Sequence, residues 1–200
     1  QAIAAAIELG LPVAMKIESP DIAHKTEAGG VLLGLADPQA VGEAFERILA
    51  NAARHDPTAR LSGVLIQPMA PTGVEMLIGA RVDPQFGPLI VVGLGGVLVE
   101  LMKDTALALA PVSVSEASLM IDSLAGRALL DGFRGAAPVD RPALADLVAR
   151  VLTFIADHRD RIAEIDLNPV ICHPGGLVAV DALIRLGEGP GSGADTDTGS

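Results

Sequence analysis

The residue types best suited to chemistry are concentrated in the loop Ser19–Gly30, whose sequence is SPDIAHKTEAGG. His24 is the candidate nucleophile, because a neutral imidazole can attack a phosphoryl group and the adjacent Lys25 favours that neutral form. The pair Gly29 and Gly30 lets backbone N–H groups approach an anion closely. A solvated loop histidine without a chemical role is the ordinary alternative, and composition alone does not exclude it.

A single lysine, Lys16, interrupts the apolar strand predicted at Leu11–Ile17 (LPVAMKI). An ammonium group on a rigid strand is a fixed point charge, which suits a phosphate clamp. A lone strand lysine is equally typical of a sheet edge, where the stem covers apolar surface and the amine reaches water. Both interpretations of Lys16 stay open.

Oxygen ligands are concentrated near the end of the chain. The segment Glu164–Asn168 (EIDLN) alternates polar and apolar residues, so a strand here places the polar ones on one face. Asp181 is predicted on the paired strand Leu177–Ala182, among apolar neighbours, where an acid needs a partner. Asp166, Asn168 and Asp181 are hard ligands that suit Mg²⁺ carrying nucleotide phosphates. The alternative is a solvated hairpin face, and we favour the metal site.

A cluster of glycines, Gly93–Gly96 (GLGG), follows the apolar strand Leu89–Val92. Such a cluster can bring backbone donors to phosphates, but it lacks the dinucleotide pattern GxGxxG and no helix follows it. The chain also has no GxxxxGK[ST] phosphate-binding loop. A tight turn between core strands is an equally good interpretation.

The elements that must position these residues follow from hydrophobic periodicity. Helices are predicted at Gln1–Gly10, Pro38–Arg54, Glu116–Leu130 with a break near Gly126, and Pro142–His158. Strands are predicted at Leu11–Ile17, Val31–Leu35, Gly63–Met69, Val74–Arg81, Leu89–Val92, Val97–Met102, Ala106–Ala110, Ile162–Ile171 and Leu177–Ala182. Because neighbouring strands are joined by turns, they should pair antiparallel, which predicts an α+β fold.

Composition narrows the function classes. Fourteen Lys and Arg against 25 Asp and Glu give a formal net charge of −11, which argues against nucleic-acid binding. No apolar run approaches the roughly 20 residues needed to span a bilayer, so no membrane association is expected. One cysteine, Cys172, excludes an internal disulfide and suggests a reducing, cytoplasmic location. Residues 187–200 contain no large apolar residue and are expected to form a disordered tail or linker.

Taken together, the motifs resemble the ATP-grasp domain of ADP-forming acyl-CoA synthetases, the acetate–CoA ligases. The matching segments are PVAMKIESPDIAHKTEAGGVLLGL, GVLIQPMAPTGVEMLIGARVDPQFGPLIVVGLGG, and EIDLNPV with VAVDALI. The last pair is also similar to the β-subunit of succinyl-CoA synthetase. The resemblance implies an ATP-grasp domain over residues 1–186, with two lobes of mainly antiparallel sheet and flanking helices, one at about 11–68 and one at about 69–186. We expect the opening elements of that fold to be missing before Gln1.

The same resemblance implies roles for the residues of the motifs. His24 would accept and pass on a phosphoryl group, with Asp166 as a second catalytic residue. Asn168 and Asp181 would bind Mg²⁺.

The resemblance also implies where ATP or ADP would bind. Lys16 and Lys25 would hold nucleotide phosphates, and Glu75 would lie near the ribose. The segment Gly93–Gly96 would lie against the phosphates or a docking surface. The adenine would be recognised by the backbone of a hinge between the lobes, formed by Gln67, Pro68 and Met69.

The implied reaction is acyl-CoA + ADP + phosphate ⇌ acid + CoA + ATP. It requires CoA-binding and CoA-ligase domains or subunits as partners, neither of which is in this chain. Two alternatives stay open at this point. One is a ligand-sensing domain of a protein acetyltransferase, and the other is a nucleotide-binding module without phosphotransfer.

Overall fold

The computed structural model describes residues 1–22, 24–96 and 104–187. The chain divides into two compact units, Gln1–Ala70 and a second unit that begins at Pro71. The strand predicted at Val97–Met102 and the tail beyond Gly187 lie outside the described residues. In the part of the chain that is described, no helix has the length and apolar character needed to cross a membrane.

The first unit is a three-stranded antiparallel sheet with two helices on one face. Its elements are α1 (Ala2–Leu9), β1 (Val13–Glu18), β2 (Val31–Leu35), α2 (Pro38–His55) and β3 (Gly63–Pro68). The strand order is β2-β1-β3, so β1 is the central strand. The carboxylate of Asp37 starts α2 by accepting the Ala40 N–H at 2.8 Å.

Alternation along β1 divides its side chains between the two faces of this sheet. Val13, Met15 and Ile17 are fully buried in the hydrophobic cluster that includes the inner face of α2. Ala14 and Lys16 therefore point to the opposite face, which the helices do not cover. Because β1 is central, the interpretation of Lys16 as a sheet-edge lysine is wrong.

The second unit is a six-stranded antiparallel sheet with two helices on one face. Its elements are β4 (Val74–Asp83), β5 (Gly87–Leu94), β6 (Thr105–Leu109), α3 (Val114–Asp122), α4 (Arg141–Asp157), β7 (Ile162–His173), β8 (Gly176–Ala179) and β9 (Ala182–Leu186). The order is β6-β5-β4-β7-β8, and β9 pairs with the first half of β7. Every strand pair described in both sheets is antiparallel, which confirms the predicted α+β class.

The core of the second unit lies between α4 and the sheet. The buried stripe of α4 includes Leu144, Val148 and Leu152, and it packs in one cluster with Met76 and Ile78 of β4. Burial of one such side chain contributes about 1.5–3 kcal/mol. This packing fixes β4, which carries Glu75, and β7, which carries Asp166 and Asn168.

The helical pattern predicted at Glu116–Leu130, with its break near Gly126, ends earlier in the structure, because α3 ends at Asp122. The chain turns after it, and the Asp104 carboxylate accepts the N–H groups of Ala125 and Gly126 at 2.8 Å each. The N–H groups of Ala125 and Gly126 donate to this carboxylate and not to helix carbonyls, so the helix does not continue through them. The other predicted elements within the described residues differ by a few residues at their ends, apart from the last strand, which is discussed below.

Candidate functional site

The face of the first sheet that its helices leave uncovered carries two predicted site residues, Lys16 and Gln67. In the β1–β3 register, Lys16 lies opposite Leu65 and Ala14 lies opposite Gln67. Opposed residues of an antiparallel pair share a face, so Lys16 and Gln67 are diagonal neighbours on one face. Lys16 is only 7% exposed, which gives its ammonium group a position fixed by the central strand.

The loop that follows β1 is fastened at its entry by Asp21. The Asp21 carboxylate accepts three hydrogen bonds from Arg60, namely from the backbone N–H at 2.7 Å, from Nε at 2.9 Å and from Nη2 at 2.7 Å. These bonds lower the pKa of Asp21 to about 2 and raise the pKa of the Arg60 guanidinium. The next residue, Ile22, is buried in the core of the unit, so Asp21 and Ile22 are both held in place.

The same loop is fastened at its exit through the two glycines. The Gly29 carbonyl accepts Nδ2 of Asn51 at 2.9 Å, and the Gly30 carbonyl accepts the Ile17 N–H at 2.7 Å. The Gly30 N–H donates to the Lys25 carbonyl at 2.8 Å. The glycine pair therefore closes the loop onto α2 and β1, and both of its N–H groups are used within the loop, because the Gly29 N–H donates to the Thr26 carbonyl at 3.0 Å.

His24 lies between these two fastenings. Its side chain is exposed, whereas Ala28 on the exit side is buried. Lys25 is half-buried. The loop returns to β2 beside Lys16, because Lys16 pairs with Val31. An exposed imidazole is thus presented from a tethered loop whose exit adjoins the strand that carries the buried lysine.

The predicted hinge lies at the end of β3. Gln67 and Pro68 are the last residues of that strand, and Met69 follows two residues before the second unit begins at Pro71. Met69 is 38% exposed, and its sulfur accepts the Gly34 N–H at 3.3 Å. Recognition of adenine by this segment stays a prediction.

In the second unit, the oxygen ligands lie where the pairing of β7 is interrupted. Met76 of β4 opposes Val170 and Ile78 opposes Leu167, so two residues of β7 face one residue of β4. This is a β-bulge, a feature that re-aims side chains within a sheet. Asn168 is one of the two residues in the bulge, and its side chain is exposed.

The partner strand of β7 changes at the same place. β8 ends at Ala179, β9 begins at Ala182, and the Val180 N–H donates to the Pro169 carbonyl at 3.1 Å. Asp181 therefore lies in the link between two strands, and the prediction that it sits on a single second strand of the hairpin is wrong. The sheet divides there because β7 bulges, so a continuous partner strand would lose register.

Asn168 and Asp181 thus meet at one interruption of the sheet, with Asp166 nearby on β7. Asp166 and Asp181 are half-buried. Among the residues described, no cluster of three or more His, Cys, Asp or Glu is arranged to hold a metal ion. The donor set is an amide and carboxylates, which fits Mg²⁺ because this ion completes its shell with water and nucleotide phosphates.

Glu75 and the glycine cluster approach each other closely. Glu75 is exposed on β4, and its carbonyl accepts the Gly95 N–H at 2.6 Å. A Cβ atom on Gly95 would lie 2.9 Å from the Glu75 carbonyl carbon, closer than real Cβ contacts come. Gly95 is thus explained by its close backbone packing against Glu75.

Sequence reasoning missed the residues that hold the His24 loop. Asp21 and Arg60 are 39 residues apart, and Asn51 reaches Gly29 across 22 residues. None of these pairs follows from a local pattern of hydrophobicity or turn residues. The only local signal is that Asp21 follows Ser19-Pro20, a sequence typical of a turn.

Comparison with known proteins identifies close relatives of the chain. A family model described as an ATP-grasp domain matches residues 1–186. The β-subunit of ADP-forming acetate–CoA ligase I from Pyrococcus furiosus is 42% identical over 179 residues, which cover 90% of this chain and 77% of that subunit. The ADP-forming acetate–CoA ligase I of Archaeoglobus fulgidus is 42% identical over 180 residues, 90% of this chain. The chain spans only 26% of the length of that ligase.

Among solved structures, the fold matches a dinucleotide-forming acetyl-coenzyme A synthetase of Ca. Korarchaeum cryptofilum. Its complex with coenzyme A, Ca-AMPCP and HgCl⁺ gives a TM-score of 0.86 at 44% identity, over 92% of this chain and 80% of that one. A second complex contains coenzyme A and Mg-AMPPCP, with a phosphohistidine segment pointing towards the nucleotide binding site. It gives a TM-score of 0.76 at 42% identity, over 92% of this chain and 81% of that one. The predicted fold is confirmed, while the roles of individual residues stay predictions.

Proposed function

Because this chain belongs to the ATP-grasp domain family, we propose that it is the nucleotide-binding part of an ADP-forming acid–CoA ligase. It would bind Mg·ADP or Mg·ATP and transfer a phosphoryl group through His24. The whole reaction, acyl-CoA + ADP + phosphate ⇌ acid + CoA + ATP, would require CoA-binding and CoA-ligase domains or subunits. The relative from P. furiosus, named as a subunit of such a ligase, supports this division of labour.

The observation that carries the proposal is the placement of His24. Its imidazole is exposed on a loop fastened at both ends, and this loop returns to the sheet beside the buried Lys16. A nucleophile that exchanges a phosphoryl group with another protein domain must be accessible. A cation that holds a phosphate is most effective when its position is fixed in advance.

Phosphoryl transfer through His24 divides into two displacements. A ring nitrogen of neutral His24 attacks the phosphorus of the incoming phosphoryl group, and the bond from phosphorus to the previous carrier breaks. A terminal oxygen of ADP then attacks the same phosphorus, the P–N bond breaks, and the imidazole is neutral again. Lys16, with Lys25 on the loop, would neutralise phosphate charge during the second displacement.

The second unit would supply the metal site. Asn168 and Asp181, which meet at the interruption of the sheet, would hold Mg²⁺, with Asp166 beside them. The ion, when bound, would neutralise phosphate charge and orient the phosphates. Glu75 would contact the ribose, and the backbone of Gln67, Pro68 and Met69 would contact the adenine. A cytoplasmic location stays a prediction.

Labelling the chain with Mg·ATP that carries a labelled γ-phosphate tests this proposal. We expect an acid-labile, base-stable phosphoryl label, because a phosphoramidate bond has that stability. The label should be absent from a His24→Asn variant and unchanged in His55→Asn, an exposed histidine of the same unit. Nucleotide binding without label in the unmodified chain would contradict phosphotransfer and would favour a ligand-sensing or plain nucleotide-binding module.

A further inference from the structure

We propose that the ion pair of Asp21 and Arg60 is a positioning device that holds the entry of the His24 loop for phosphoryl transfer. The inference rests on the proposed function of His24 and adds a residue, Arg60, that lies 36 positions further along the chain. Neither Asp21 nor Arg60 is placed in contact with the phosphoryl group. Both act through the backbone that leads to the imidazole.

The hydrogen bonds of the pair fix both the distance and the orientation of its two side chains. Asp21 accepts three hydrogen bonds from one residue, two from the guanidinium of Arg60 and one from its backbone N–H. A guanidinium that binds both oxygens of a carboxylate fixes orientation as well as distance. The backbone of Asp21 is therefore held in direction, three residues before His24.

Arg60 belongs to a segment that is itself held by hydrogen bonds. Arg60 lies in the connection between α2 and β3, where the Asp56 carboxylate accepts the Thr58 N–H at 2.8 Å and the Thr58 hydroxyl at 2.7 Å. The Ser62 N–H donates to the Glu18 carbonyl, at the end of β1, at 2.8 Å. The loop entry is thus bonded to a structured turn, which distinguishes this pair from a mobile surface contact.

The entry and the exit of the loop are held by different groups. The exit half is held by Asn51, Ile17 and its own backbone bonds, none of which involves Arg60. The Ala28 N–H also donates to the His24 carbonyl at 3.3 Å, so loss of Arg60 would release the backbone on the entry side of His24 and leave that bond and the exit in place. The side chain of Arg60 is 77% exposed, and exposed pairs contribute little to global stability. We therefore expect an effect on position with little effect on folding.

Limited digestion with trypsin tests the holding of the loop without any need for activity. The Arg60→Gln variant should be cut after Lys25 several times faster than the unmodified chain, measured by mass spectrometry of the fragment. Arg150→Gln, which breaks an exposed Asp146–Arg150 pair on α4, is the matched control and should cut at the unmodified rate. Equal cleavage after Lys25 in all three proteins would overturn the inference.

Phosphorylation kinetics test the positioning role itself. Arg60→Gln should lower the rate of His24 labelling at saturating Mg·ATP by roughly tenfold to a hundredfold, because small misplacements of a reacting group cost that much. The Kd for Mg·ATP should not change. Arg60→Lys should give an intermediate rate, because lysine keeps the positive charge but cannot bind both carboxylate oxygens as a guanidinium does. An unchanged labelling rate, or a Kd that rises in proportion to the loss of rate, would overturn the inference.

The two experiments separate this inference from the proposed function. If the unmodified chain takes no label at His24, the proposed function fails and the role of the pair in transfer fails with it. If the unmodified chain is labelled and Arg60→Gln is labelled equally fast, only the positioning role fails.

Discussion

The two units place their predicted site residues in opposite ways. In the first unit, Lys16 lies on the regular central strand of a sheet and is almost fully buried. In the second unit, Asn168 and Asp181 lie where a bulge interrupts the sheet, and Asn168 is exposed. A strand centre places a single charge, whereas an interruption brings polar side chains from two segments of the chain to one place. The comparison therefore predicts different sensitivities to mutation in the two units.

The largest effect is expected for nucleotide affinity when Lys16, on the central strand of the first sheet, is replaced. Lys16→Met should raise the Kd for Mg·ATP roughly tenfold to a hundredfold, because a hydrogen bond to a charged group contributes about 1.5–3 kcal/mol. Isothermal titration calorimetry measures this change, and Arg150→Met, which removes an exposed cation from α4, is the control. Equal affinities for the two variants would mean that the buried lysine does not contact the nucleotide.

The next effect concerns the glycine that the structure explains by packing alone. Gly95→Ala should lower the free energy of unfolding by about 1–3 kcal/mol, because the added methyl group meets the Glu75 backbone. Gly79→Ala, where a Cβ atom would meet nothing within 4 Å, is the control and should keep its stability in urea denaturation. A stable Gly95→Ala protein with weakened nucleotide binding would restore the phosphate-cradle interpretation.

A smaller effect, on the Mg²⁺ requirement, is expected when Asp181, at the interruption of the second sheet, is replaced. Asp181→Asn should raise the Mg²⁺ concentration needed for half-maximal nucleotide binding by roughly tenfold, because Mg²⁺ takes only one or two carboxylates from a protein and the rest of its shell from water and phosphates. Fluorescence titration with a labelled ATP analogue measures it, with Asp160→Asn, an exposed acid of the same unit, as control. If both variants need the same Mg²⁺ concentration, Asp181 is not a ligand.

The smallest effect is a titration in the first unit. Asp21 should titrate near pH 2, because its pKa is lowered to about 2 by Arg60. The sign follows from the lowered value: the pair contributes fully above the ordinary pKa of an aspartate and is lost as the pH falls towards 2. NMR of the side-chain carboxyl carbon measures the midpoint, which should move upwards in Arg60→Ala. A midpoint that does not move would mean that another group holds the charge of Asp21.

The sequence predicted the elements better than the contacts between them. The short apolar run at Leu11–Ile17, followed by a polar loop, predicts a strand from local sequence alone, so β1 and its hairpin with β2 could be found. The end of α3 was predicted too late, near Gly126, because it depends on Asp104, a residue outside that segment. The strand containing Asp181 was also predicted wrongly, since the register shift of β7 arises from its pairing with β4.

The candidate site follows the same division. The residue types of His24, Lys16 and Asn168 could be singled out from the sequence and from the resemblance it carries. The way in which the His24 loop is held could not, because the bonds from Arg60 and Asn51 join segments far apart in the chain. Such side-chain bonds leave no periodic signal, so they become visible only when the fold is known.

The buried thiol of Cys172 has a practical consequence. It is the chain's single cysteine and lies fully buried on β7, where burial raises the pKa of the thiol to about 12. An alkylating reagent at neutral pH therefore has neither access to the sulfur nor a thiolate to attack. The rate of Cys172 alkylation would therefore report how often the interior of the second unit opens to solvent, so this thiol is an intrinsic probe of local unfolding.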